Sequence, residues 1–226
     1  MRPTLVLDLD GTLVDTASDL VATLNAVLAG ESVPPIAYDE AVAMVGHGAR
    51  SMLAAALKSA GEPADEARLD RLFAAYLAHY ADHLADTSRA FPGVAEALDR
   101  FTAEGWTLAV CTNKLEGLSK SLLSALGLAD RFAVIAGQDT FAARKPDPLH
   151  LLETVRAAGG SRERAVMVGD SIVDIETARA AGIPVVGVDF GYSAIPVREL
   201  GPDAVVSGYD ALFDAATALL AARRTG

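Results

Sequence analysis

Two aspartates stand two residues apart at the end of a short apolar run. Leu5-Val6-Leu7 leads into Asp8-Leu9-Asp10-Gly11-Thr12. A run of this kind reads as a buried strand. Side chains at i and i+2 of a strand point the same way, so the two carboxylates can converge on one point. Gly11 then permits a tight turn. Like charges held close repel and are costly to bury, and a dication between them relieves both problems. An Asp-Gly turn with a strand-end cap would use the same residues, so the pair alone does not decide. Polar groups of related kind recur downstream, in Thr112-Asn113-Lys114, at Lys145 and in Gly169-Asp170-Ser171 with Asp174.

What decides is where the elements put these groups. From about residue 92 onward, short apolar runs alternate with helical patterns. Strands read at 106–111, 132–136, 165–168 and 184–188, with a further one at 204–206. Helices read at Pro92–Gly105, Leu115–Leu126, Pro146–Ala158 and Ser171–Ala181, with a last one from about Tyr209. Such alternation implies a doubly wound parallel sheet with helices on both faces, a Rossmann-like α/β core. The strand at residues 4–8 belongs to this set. The intervening stretch is helical throughout: Thr16 and Asp19 have the spacing of a capping box, and Leu69, Leu72, Phe73, Tyr76, Leu77, Tyr80 and Leu84 form one apolar stripe, fit for a lid core or a dimer contact. The expected organisation is therefore a core of 1–15 and 87–226 with an all-helical cap at 16–86, inserted at the first strand's C-terminal end, where open α/β sheets bind ligands.

The totals limit what such a site can serve. The chain has 226 residues, 51% apolar and 22% charged, with a formal net charge of −11. That is a core-forming composition, and it disfavours nucleic acid and anionic membrane surfaces as partners. An anionic small molecule would need a locally positive site. The single cysteine, Cys111, lies in an apolar run and reads as a buried structural thiol; it excludes an internal disulfide. The early apolar run is broken by Asp8 and Asp10, so it does not read as a signal peptide, and no stretch is apolar enough to span a bilayer. A cytoplasmic location is expected, as a monomer or homodimer.

Every group singled out above falls just past a strand. Asp170 follows Val166-Met167-Val168-Gly169 as Asp8 follows Leu5-Val6-Leu7, and three carboxylates with water and a backbone carbonyl suit Mg²⁺. Asp174, one helical turn on, is either a ligand or a group that orients one, unless it is simply a first-turn acid. Thr112 and Asn113 precede a helix, where hydroxyls and free N–H groups bind phosphate or merely cap. Lys145 precedes Pro146. Each has an ordinary explanation; their coincidence at one edge of an acidic protein does not.

In order and spacing, Asp8-x-Asp10-Gly11-Thr12, Thr112-Asn113, Lys145-Pro146 and Gly169-Asp170-Ser171-x-x-Asp174 resemble the four motifs of the haloacid dehalogenase superfamily, in its phosphatase branch with a helical cap. Within that branch, Gly46-His47-Gly48 and the segment Ala142–Pro148 are most similar to the phosphoglycolate phosphatases. The resemblance implies hydrolysis of a small phosphomonoester, with Asp8 as nucleophile forming an aspartyl phosphate and Asp10 as general acid and base. It implies Mg²⁺ held by Asp8, the Asp10 backbone carbonyl and Asp170. Thr112, the Asn113 N–H and Lys145 would bind phosphate, and Asp174 would orient the metal shell and Lys145. The substrate carboxylate needs its own partner, for which the region Gly46, His47, Gly48, Arg50 and also Lys114 are candidates. A β-phosphoglucomutase-like phosphotransferase would use the same reacting groups. A metal-free dehalogenase has no need of Asp10, nor has a Mg²⁺- or phosphate-binding module, and a receiver-like domain has no need of a lid.

Overall fold

Strand β1 (Thr4–Leu7) is buried along its whole length, and a parallel sheet extends from it on both sides. The computed structural model describes residues 1–45, 48–62 and 65–223. After β1 come a short strand β2 (Val14–Asp15) and helices α1 (Ala17–Gly30), α2 (Tyr38–Val42), α3 (Ala49–Ser59) and α4 (Glu66–Asp82). The chain returns through β3 (Arg89–Ala90) and then alternates: α5 (Val94–Ala103), β4 (Thr107–Cys111), α6 (Glu116–Ala125), β5 (Val134–Ala136), α7 (Pro148–Ala157), β6 (Ala165–Gly169), α8 (Ile172–Ala181), β7 (Val185–Val188), β8 (Ala204–Val206) and α9 (Leu212–Arg223).

The six sheet strands run in the order β5-β4-β1-β6-β7-β8, and every neighbouring pair is parallel. Leu7 sits level with Val110 of β4 and Val168 of β6. The residues that follow these three strands therefore emerge together at one edge. Alternation along β1 sends Leu5 and Leu7 to one face, packed with Phe101, Leu122 and Leu212. It sends Val6 to the other, packed with Leu151 of α7 and Ile175 of α8. Asp8, two residues past Val6, follows it to the α7 and α8 side.

The helices between β2 and β3 carry a hydrophobic cluster of their own, with Leu24, Leu28, Leu53, Leu57, Tyr76 and Tyr80 fully or almost fully buried in it. The α4 stripe thus faces α1 and α3, with Phe73 and Leu77 only partly buried. The two crossings to this segment pair as an antiparallel ribbon, Val14 with Ala90 and Asp15 with Arg89. Strands of two residues carry no periodic signal, so nothing in the sequence pattern announces them.

Two local expectations are revised. Thr16 and Asp19 form no capping box: Thr16 makes no side-chain cap bond to α1, and its Oγ1 donates to Asp10 instead, at 2.8 Å. Asp19 accepts from the backbone N–H groups and hydroxyls of Thr87 and Ser88, clasping the returning chain against α1. Helix α7 begins at Pro148, two residues later than its pattern predicts, because Asp147 is its N-cap and accepts from the Leu149 N–H at 2.9 Å. Among the described residues no helix is long and apolar enough to cross a membrane.

Candidate active site

Asp8, Asp170 and Asp174 are buried, and each offers an oxygen within 4.8 Å of the others. Lys145, delivered by the loop before α7, places Nζ 2.8 Å from Asp8 Oδ1 and 2.6 Å from Asp174 Oδ1. Asp174 Oδ2 accepts from the Ser171 N–H and hydroxyl at 3.1 and 2.7 Å. The acid therefore caps α8 and holds Lys145 at the same time. Asp170 accepts from the Thr12 hydroxyl at 3.0 Å and from the Tyr192 N–H at 2.8 Å. Side chains approach the backbone closely here: a Cβ on Gly169 would lie 2.3 Å from Asp174 Cβ, and one on Gly191 would lie 2.2 Å from Asp170 Cβ.

Three buried carboxylates face one buried ammonium, which leaves two negative charges in excess. Burial, followed by the Asp174 charge, pushes both Asp8 and Asp170 well above the ordinary carboxylate range. Burial opposes the charge on Lys145, but Asp174 and Asp8 outweigh it and raise its pKa. A cluster of hard oxygen donors short of two positive charges fits a divalent cation such as Mg²⁺.

Asp10 stands apart from this cluster. Strand β1 ends at Leu7, and the chain turns so sharply that the Leu9 carbonyl accepts from the N–H groups of Thr12, Leu13 and Val14. The two-residue period therefore does not carry Asp10 to the partners of Asp8. Its carboxylate accepts from Lys114 Nζ at 3.0 and 3.1 Å and from the Thr16 hydroxyl. Lys114 is buried and lies 4.4 Å from the centre of the Tyr80 ring. Burial disfavours its charge, yet Asp10 more than compensates and raises its pKa.

Asp8 and Asp10 both open on a narrow cavity of about 50 Å³ between the sheet edge and the inserted helices. Thr112, Asn113, Lys114 and Gly48 also line it. Asn113 donates to the Lys145 carbonyl at 3.1 Å, and its buried Oδ1 has no partner. Arg50 does not reach this cavity, against expectation. It lies on the flank of α3 that meets α4, and its guanidinium is paired with Glu66 and Asp70. Gly46 and His47 lie outside the described residues.

Residues 5–188 match the haloacid dehalogenase-like hydrolase family. The chain belongs to that family. It is 55% identical over 213 residues to a phosphoglycolate phosphatase of Mesorhizobium japonicum, covering 93% of each chain. It is 47% identical to a phosphoglycolate phosphatase of Agrobacterium fabrum, over 94% of this chain and 91% of that one. The fold superposes on the crystal structure of a predicted phosphoglycolate phosphatase from Haemophilus somnus with a TM-score of 0.87 and 28% identity, over 94% of this chain and 97% of that one.

In this haloacid dehalogenase-like hydrolase, some groups around the site escape a reading of the sequence. Tyr192, in the loop after β7, holds Asp170 through its N–H, while its hydroxyl donates to Asp15 at 2.6 Å and accepts from the N–H groups of Thr16 and Ala17 at 2.6 and 3.0 Å. It thus bridges the acid cluster to the start of α1. A signal for it exists: Gly191-Tyr192 comes three and four residues past the 184–188 strand, at the same edge of the sheet. Tyr80 reads only as one of an apolar stripe, because periodicity reports the buried face of a helix and not the tip of a phenol.

Proposed function

We propose that this chain is a Mg²⁺-dependent phosphomonoesterase that converts 2-phosphoglycolate to glycolate and phosphate through an aspartyl phosphate. The observation that carries this reading is the division of labour between two carboxylates on one cavity. Asp8 lies in the acid-rich cluster beside Lys145, and Asp10 is held separately by Lys114. The relatives named phosphoglycolate phosphatase support it.

In this reading Asp8 attacks phosphorus and forms the new P–O bond. Asp10 protonates the departing alkoxide and later takes a proton from the water that hydrolyses the acyl phosphate. Lys145, Thr112 and the Asn113 N–H bind phosphate oxygens and offset the charge that develops on them. Asp174 fixes Lys145 in place. Asp8, Asp170 and the Asp10 carbonyl would hold Mg²⁺, with Asp174 beside them; bound there, it supplies charge screening between an anionic nucleophile and an anionic ester. The helical segment 16–86 serves as the lid that keeps bulk water from the cavity.

The test is phosphate release from 2-phosphoglycolate, ethyl phosphate and glucose phosphates, with Mg²⁺ and with chelator. Turnover should favour 2-phosphoglycolate and stop with chelator, and Asp8→Asn should lose about a thousandfold or more of kcat. A variant as active as the parent, or no preference for 2-phosphoglycolate, would refute the reading.

A further inference from the structure

We infer that Tyr80 is a specificity-determining residue: its hydroxyl, with the ammonium of Lys114, receives the carboxylate of a short α-phosphorylated acid. The inference rests on the function proposed above and names the groups that read the leaving half of the substrate.

Tyr80 is 1% exposed and lines the cavity. Among the described residues, the only polar group beside its hydroxyl is the Lys114 ammonium, which can donate to it but not accept, so the phenol's own proton has no acceptor. Buried hydroxyls are almost always bonded, and an unmade bond there points to a missing partner. The neighbouring phenol gives the contrast: Tyr76, one turn earlier on α4, donates to the Leu20 carbonyl at 3.4 Å. Lys114 lies over the Tyr80 ring, 4.4 Å from its centre and 3.0 Å from Asp10. Among the described residues lining the cavity, Lys114 is the one cation, since Arg50 is committed to Glu66 and Asp70. Much of the helical wall is apolar, with Leu20, Met52 and Phe73.

The dimensions suit a carboxylate one carbon from the ester oxygen. With covalent bonds near 1.5 Å, such a carboxylate lies within about 3 Å of that oxygen. An ester oxygen at Asp10 thus brings the carboxylate to the ammonium already bonded to Asp10, and to the phenol under it. The Tyr80 hydroxyl donates to one carboxylate oxygen and Lys114 pairs with the other. A site that spends a buried donor on a substrate group discriminates strongly against the analogue lacking that group.

The experiment compares wild type with Tyr80→Phe on 2-phosphoglycolate and on ethyl phosphate, which has the same carbon skeleton without the carboxylate. Phenylalanine keeps the ring, its packing and its contact with the Lys114 charge. The ratio of kcat/KM for the two esters should fall about tenfold in the variant. The loss should appear as weaker binding of the carboxylate-bearing ester, a raised KM with kcat little changed. A ratio unchanged within about twofold in an active wild type overturns the role of Tyr80 and leaves the proposed function standing. A wild type inert toward 2-phosphoglycolate overturns both.

Discussion

Asp19 tests whether the clasp between α1 and the returning chain contributes what its geometry implies. The carboxylate accepts from Ser88 N and Oγ at 2.8 and 2.6 Å, and from the N–H and hydroxyl of Thr87. Thr87 is exposed, so water replaces the acceptor there at little cost. Ser88 is buried, and its two donors would be left without an acceptor in a dry site. Bonds to a charged group contribute about 1.5–3 kcal/mol each and are not additive, so Asp19→Ala should cost about 3 kcal/mol and Asp19→Asn about half of that. At about 2–4 °C per kcal/mol for a chain of this size, the alanine variant should melt about 6–12 °C below wild type. Burial by itself would raise the Asp19 pKa, but the bonds from Ser88 and Thr87 outweigh it and hold the group below the ordinary range. A depressed folded-state pKa contributes stability that is present above the unfolded value near pH 4 and is lost as pH falls through the folded value. The gap between wild type and Asp19→Asn at pH 7 should therefore narrow below about pH 4. Circular-dichroism melts from pH 7 to pH 3 measure both effects. An alanine variant within about 2 °C of wild type at pH 7, or a gap indifferent to pH, would show that the clasp does not hold the chain as argued.

Tyr192→Phe removes the hydroxyl that meets Asp15, Thr16 N and Ala17 N while keeping the ring. Part of that site is open to solvent, so a loss of about 1–2 kcal/mol is expected. Amide exchange at residues 14–17 should speed up first; unchanged exchange there would contradict the bridge. Cys111 is fully buried, and burial pushes its thiol up to about 12. Iodoacetamide at pH 8 should label the native protein only at the rate of unfolding and the denatured protein within minutes; rapid labelling of the native state would be the contrary result.

The sheet is legible because its strands are nearly continuous apolar runs with polar groups at one end, as strands covered on both faces must be. That same logic finds Asp8, Lys145, Asp170 and Asp174 as residues that meet. It fails where chain proximity stands in for direction. Arg50 is a candidate by its closeness to Gly48, yet rotation along α3 carries it to the acids of α4. Asp8 and Asp10 share partners only if the strand period extends through a turn that in fact ends it. Local spacing pairs Asp19 with Thr16, when its partners are 68 and 69 residues away. Contacts of that range have no periodic trace in one sequence.

What separates Asp8 from Asp10 is the lysine that each one meets. Lys145 is shared between Asp8 and Asp174, and Asp174 is in turn fixed by the cap of α8. That ammonium is locked at the base of the cluster, where it offsets charge and cannot follow a leaving group. Lys114 has one carboxylate partner and an aromatic face, and it lines the open cavity. Its ammonium carries three donors, so it can take up an incoming anion while keeping Asp10, and neither buried charge is left bare. On the function proposed above, a protein of net charge −11 can therefore receive a substrate that is anionic at both ends. In the proposed reading each end meets its own buried lysine, and a divalent metal held by the acid cluster would offset its charge against the phosphate.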